Sequence, residues 1–213
     1  MKEQQISFPS QSLTLEGLFA PAKSGAAPGA AVVCHPHPQY GGSMYNNVVE
    51  AALEALWDKG FATLRFNFRG VGESEGSYGG GAGEAQDAVS AINHMRARPG
   101  LENAPIVLIG YSFGAAAAWQ AAPQAGELKA LVLIAAPLRM MDTESAPQIG
   151  TILLIGGSED SYCPAAQLEQ LCAKLGAGAS FKVVEGADHF FGGYEADVTA
   201  ALRDSLAGMP GRS

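Results

Sequence analysis

The stretch that decides how this chain is read runs Pro105-Ile106-Val107-Leu108-Ile109-Gly110-Tyr111-Ser112-Phe113-Gly114-Ala115-Ala116-Ala117-Ala118. Pro105 to Ile109 is an apolar run of the kind found in a buried strand. Ala115 to Ala118 is helix-prone and small enough to pack closely on a sheet. Between them stands G-x-S-x-G. Glycines two before and two after the serine remove the Cβ atoms that would clash in a sharp strand-to-helix bend, so the pattern predicts a tight turn holding the Ser112 hydroxyl above the sheet edge. A chain with 27 glycines meets the pentapeptide by chance, so the flanks carry the inference. They predict a nucleophilic serine.

Working outward, apolar β-prone runs alternate with helical patterns. Ala31 to Cys34, Ala62 to Phe68, Pro105 to Ile109, Ala130 to Ala135, Thr151 to Ile155 and Phe181 to Val184 read as buried strands. One amphipathic helix carries Val48, Val49, Ala52, Leu53 and Leu56, and a second carries Ala85, Ala88, Val89, Ile92 and Met95. Glu84 and Asp87 near the start of the second and Arg96 and Arg98 near its end match the macrodipole, and Pro99-Gly100 stops it. Pro164 suits the first turn of a later helix that packs through Leu168, Leu171, Cys172 and Leu175. The segments Gln4 to Phe8 and Leu13 to Phe19, separated by Pro9-Ser10-Gln11, predict an antiparallel hairpin at the sheet edge. The expected fold is α/β, a doubly wound and mostly parallel sheet in a single domain over residues 1–213.

Composition narrows the function classes. Thirteen basic against 21 acidic residues give a net charge of −8 without any basic cluster, which disfavours nucleic acid as a partner. Met1-Lys2-Glu3-Gln4-Gln5 has charges and amides where a signal peptide has its apolar core, and no apolar run reaches membrane-spanning length, so a cytoplasmic location without a membrane partner is expected. The three cysteines, Cys34, Cys163 and Cys172, lack C-x-x-C spacing and suggest neither a disulfide framework nor a zinc site.

A serine hydroxyl needs a base to take its proton, and the base needs a carboxylate to fix its tautomer. Of the four histidines, His94 lies opposite the apolar stripe of its helix and is expected to face solvent. His189 follows the last predicted strand and precedes the last helix, at the carboxyl edge where open α/β sheets place ligands. Asp160, after the strand Thr151 to Ile155, emerges at the same edge. Asp188 is the rival acid, but neighbours on an extended loop point apart. Glu159 reads as a solvated loop charge.

In this order, Ser112, Asp160, His189, the chain resembles the α/β-hydrolase superfamily, whose acid follows the penultimate strand and whose histidine follows the last. It is similar to small bacterial members with an H-P-H-P-x-x-G-G loop, matched by His35-Pro36-His37-Pro38-Gln39-Tyr40-Gly41-Gly42. It looks like a lidless relative of the dienelactone-hydrolase and acyl-peptidase groups. Asn67-Phe68-Arg69-Gly70-Val71-Gly72-Glu73-Ser74 resembles the R-G-x-G-x-S turn of that superfamily. Two departures matter. Dienelactone hydrolases use cysteine where this chain has Ser112, so their substrate class is not implied. Prolines 36 and 38 cannot donate an N–H, so matching His35 to the first histidine of the lipase H-G-x pattern implies an oxyanion hole built by the amides of Phe113 and His37, with Gln39 or Tyr40 as alternatives for the second. Superfamily caps follow the strand Ala130 to Ala135, and here Pro137 to Gly150 is too short for one.

The expected activity is hydrolysis of small-molecule esters or thioesters through an acyl-enzyme, with no cofactor and no metal. A silent binding or scaffold protein, and a peptidase or acyltransferase, are the alternatives. His35-x-His37 lacks a third ligand at recognisable spacing, so loop ordering is the simpler reading. Gly70-x-Gly72 does not continue in dinucleotide-binding spacing. Gly79-Gly80-Gly81-Ala82-Gly83 reads as a flexible connector. Cys34 and Cys163 read as structural, and Tyr40, Tyr45, Met140, Met141, Phe190 and Phe191 as either pocket lining or core.

Overall fold

The expected alternation of strands and helices is present in the computed structural model, which describes residues 1–23 and 27–207. In chain order the elements are β1 (Gln4–Ser10), β2 (Leu13–Ala20), β3 (Ala30–Cys34), α1 (Asn47–Asp58), β4 (Ala62–Phe66), α2 (Ala82–Arg96), β5 (Ile106–Tyr111), α3 (Phe113–Ala121), β6 (Ala130–Ile134), β7 (Ile152–Gly157), α4 (Ala165–Leu175), β8 (Ala179–Val184) and α5 (Glu195–Ala207). The strands form one sheet in the order β1-β2-β4-β3-β5-β6-β7-β8. β1, β2 and β4 pair antiparallel, and the remaining pairs are parallel.

Side-chain alternation divides the core between the two faces. Ile106 and Leu108 of β5 join one cluster with α2, α3 and α4, whereas Val107, Ile109 and Tyr111 join the other with α1 and α5. Both faces are therefore covered, as a parallel sheet requires. The three-residue turn Leu138–Met140 is the one helical element in the connection from β6 to β7, so among the described residues no lid domain is inserted there. No helix among the described residues is long and apolar enough to cross a membrane.

Several local expectations are corrected. β8 is not a buried strand. It ends the sheet, pairs on one side only, and buries Val184 alone. The hairpin turn is Gln11-Ser12, because β1 continues through Pro9 and Ser10, and an edge strand tolerates the missing proline N–H. His94 does not face open solvent: it is half-buried and stacked on Phe8 at 5.2 Å, since β1 lies across α2. The glycine segment before α2 is a cap rather than a loose connector. Gly81 takes φ 95°, and the Glu84 carboxylate accepts from the N–H groups of Gly79 (2.7 Å) and Gly81 (2.8 Å). Asp87, read as a helix-start charge, is fully buried. It accepts from the Ser10 hydroxyl and from the Arg69 backbone and guanidinium, and so binds the hairpin to the turn after β4.

Candidate active site

β5 runs through Gly110 and ends at Tyr111, and the next residue is Ser112, whose φ of 53° and ψ of −122° are unusual for a residue with a side chain. Two bonds hold this strained turn: the Ser112 N–H donates to the Ile134 carbonyl, and the Ser112 carbonyl accepts from the Ala115 N–H, both at 2.8 Å. The flanking glycines have separate jobs. A Cβ on Gly110 would stand 2.1 Å from the Gly114 carbonyl oxygen, inside the bend itself. One on Gly114 would stand 2.3 Å from the Cys34 carbonyl oxygen, so this glycine lets α3 approach β3.

Loops from β7 and β8 bring the next two groups to the serine. At the end of β7, a Cβ on Gly157 would meet the Ala187 carbonyl oxygen at 2.2 Å, so the two loops touch backbone to backbone. Glu159 N–H to Ala187 carbonyl and Gly186 N–H to Ser158 hydroxyl bonds lock them together. Asp160 from one loop and His189 from the other then meet, with His189 Nδ1 2.8 Å from Asp160 Oδ2. His189 Nε2 lies 2.9 Å from the Ser112 hydroxyl oxygen. Asp160 is buried, and its other oxygen accepts from the Tyr162 and Cys163 N–H groups, each at 2.8 Å. A carboxylate only accepts, so Nδ1 carries the ring proton and Nε2 is left to accept from Ser112. Asp188 points elsewhere and accepts from the Phe190 N–H at 2.9 Å.

The candidate oxyanion donors adjoin the serine. Phe113 opens α3, where an N–H has no intrahelical acceptor, and its ring lies 4.6 Å from that of His37. The Gln39 N–H is directed to His37 Nδ1 and the Tyr40 N–H to the His37 carbonyl, so the alternative donors are both engaged. Gly42 permits this compact loop, because a Cβ there would lie 2.2 Å from the Pro36 carbonyl oxygen.

His35 is fully buried, with Nδ1 2.6 Å from the Pro36 carbonyl and Nε2 accepting the Phe68 N–H at 3.0 Å. Both ring nitrogens are thus engaged, Nδ1 within the β3 loop and Nε2 in joining that loop to the segment after β4, so they are not available as half of a metal site with His37. Burial lowers the His35 pKa from 6.5 to about 4. Below pH 6.5 the unfolded chain takes up a proton that the folded chain refuses, so this stability is present above pH 6.5 and lost as pH falls toward 4. The loss expected across that window is about 3 kcal/mol. His35→Gln, which keeps one acceptor and one donor, is expected to flatten the pH dependence of urea unfolding there. An unchanged slope would show that His35 does not govern it.

Asp160, Cys163 and His189 place potential metal-ligand atoms within 4.8 Å of one another. Their chemistry fits a hydrogen-bonded carboxylate–imidazole pair better than a ligand set, since Asp160 and His189 already bind each other and burial beside Asp160 pushes the Cys163 thiol up to about 12.

Ser112, Phe113, His37 and His189 line an open cleft of about 630 Å³, in the size range of small-ligand sites. Tyr40, Met140 and Phe190 line it, whereas Phe191 and Met141 are buried core and Tyr45 packs over Arg65. Sequence reasoning passed over Tyr111, Arg139 and Tyr162. Tyr111 had a signal, its place inside the pentapeptide: its hydroxyl donates to the His189 carbonyl at 2.8 Å and its ring packs near Phe191.

A model of the dienelactone hydrolase family matches residues 81–207, a span that contains Ser112, Asp160 and His189. An uncharacterized protein of Rickettsia prowazekii is 34% identical over 211 residues, covering 95% of this chain and 88% of that protein. The crystal structure of a Xanthomonas campestris protein, described as an α/β serine hydrolase without a lid, is similar with a TM-score of 0.90 at 27% identity, covering 100% of this chain and 98% of that one. A Coxiella burnetii protein described as an α/β serine hydrolase homologue gives a TM-score of 0.88 at 29% identity, covering 97% of this chain and 98% of that one. With a family model matched over more than half of its length, a fold of eight mostly parallel strands and no lid, the chain belongs to the dienelactone hydrolase family.

Proposed function

We propose that this hydrolase uses Ser112 as a nucleophile to cleave carboxylic esters or thioesters through an acyl-enzyme. The observation that carries the reading is the unbroken hydrogen-bond chain from the Ser112 hydroxyl through His189 to buried Asp160, opening on a cleft without a lid. His189 Nε2 takes the proton as the Ser112 oxygen attacks the acyl carbon, and Asp160 steadies the imidazolium that forms. The amides of Phe113 and His37 stabilise the oxyanion, with prolines on either side of His37 restricting the loop that presents it. His189 then protonates the departing alcohol or thiol, and water repeats the sequence on the acyl-enzyme. An open cleft admits bulky substrates and excludes water poorly, which favours modest rates on simple esters.

The test is covalent. A fluorophosphonate probe is expected to label the wild-type protein on the peptide containing Ser112, and a slow ester is expected to leave an acyl adduct there that mass spectrometry detects. Absence of labelling, together with no hydrolysis of any ester or thioester offered, would overturn the reading in favour of a silent binding protein.

A further inference from the structure

The charge lining the cleft is sparse and one-signed. Arg139 is the one Arg or Lys side chain among the lining residues described, and no Asp or Glu joins it there. This contrasts with the chain as a whole, which carries a net charge of −8. Five cations outside the cleft, Lys23, Arg65, Arg69, Lys174 and Arg203, each pair with a carboxylate. Arg139 is exposed, its guanidinium donates only to the Tyr162 carbonyl at 3.3 Å, and it forms no ion pair among the described residues. A guanidinium with most of its donors unused, in a cleft of mainly apolar and aromatic walls, suits an anionic ligand.

The reaction direction tells which part of the substrate meets it. If Ser112 and His189 act as proposed above, on which this inference rests, the departing atom must lie within hydrogen-bond reach of His189 Nε2. Whatever is attached to that atom extends over the aromatic neighbours of the imidazole, Tyr162 with its ring centroid at 5.2 Å and Phe190 at 5.6 Å. Those two rings meet edge to face at 6.2 Å, and the Arg139 guanidinium is anchored on Tyr162. The acyl group stays on Ser112, with its oxygen turned to the Phe113 and His37 amides beside the serine. We infer that Arg139 is a specificity residue for the leaving group, and that the preferred substrates release an alcohol or thiol carrying a carboxylate or phosphate beyond an apolar or aromatic body.

Matched esters test this. 4-Acetoxybenzoate places a carboxylate on the leaving group and its methyl ester is the neutral control, while 4-acetoxyphenyl phosphate asks whether phosphate serves as well. The monosuccinate of 4-nitrophenol places the anion on the acyl side instead. After correction for their rates with hydroxide, kcat/KM for 4-acetoxybenzoate is expected to exceed that of the neutral control by about tenfold at low salt, with the preference shrinking as salt rises. The ratio is expected to fall to about one in Arg139→Gln, drop below one in Arg139→Glu and largely return in Arg139→Lys. A purely structural role would move both esters together. A ratio unmoved in Arg139→Glu, or a preference for the acyl-side anion, overturns the inference while leaving the serine-hydrolase reading intact. If no ester is cleaved, that reading fails, and titration of Ser112→Ala with 4-hydroxybenzoate against its methyl ester still decides the anion site: equal binding overturns it.

Discussion

Replacing Ser112 by alanine is expected to lower kcat on short p-nitrophenyl esters by about 10⁶ and to abolish fluorophosphonate labelling, with the protein still folded. The size follows from what is lost. Without the hydroxyl there is no acyl-enzyme, and His189 Nε2 faces a gap 2.9 Å from where the nucleophile stood. What remains is positioning by the cleft and the Phe113 and His37 amides, which still favour an oxyanion over bulk water, so the residual rate stays above the uncatalysed one. The fold is not at risk, because the turn is held by backbone bonds to Ile134 and Ala115 that alanine keeps. The strain at φ 53° is borne by either residue. Melting temperature and steady-state rates on the same preparations check both halves. Activity within a hundredfold of wild type would overturn the role of Ser112.

The reading of the fold succeeded where side-chain pattern and tertiary burial agree. Continuous apolar runs marked strands covered on both faces, and the amphipathic stripes of α1 and α2 marked the helices that cover them. The three groups now seen in contact, Ser112, Asp160 and His189, were legible because each follows a strand end, and parallel strands deliver such positions to one edge. What was not legible depends on neighbours far away in sequence. Asp87 and Glu84 look like ordinary helix-start charges, and only the folded chain reveals Ser10 and Arg69 around one and a glycine cap beneath the other. β8 has the composition of a buried strand, yet its place at the end of the sheet exposes it. Phe190 and Phe191 are adjacent and chemically identical. The φ of 54° at Phe191 turns one into the core and leaves the other at the cleft mouth, a division no periodicity encodes.

Asp160→Asn is expected to reduce kcat by about 10⁴, the scale of the same change in a serine protease, while Asp188→Asn costs no more than about tenfold. The difference rests on how an amide must sit in place of the Asp160 carboxylate. Two backbone donors, the N–H groups of Tyr162 and Cys163, converge on Oδ1, so the amide oxygen of an asparagine must occupy that position. Its NH₂ group then points at His189 Nδ1, which can only accept, and the ring proton moves to Nε2. A donor now faces the Ser112 hydroxyl where an acceptor is needed, and no cation-stabilising charge lies behind the ring. Because each backbone donor keeps its acceptor, the variant is expected to fold, with KM little changed. Asp188 instead accepts the Phe190 N–H through Oδ1, a bond that an asparagine oxygen reproduces, so only small shifts of the His189 loop are expected. Steady-state kinetics on p-nitrophenyl esters, with circular dichroism on each variant, measure the ordering. If Asp188→Asn proves the more damaging of two folded variants, the carboxylate that orients His189 is not Asp160.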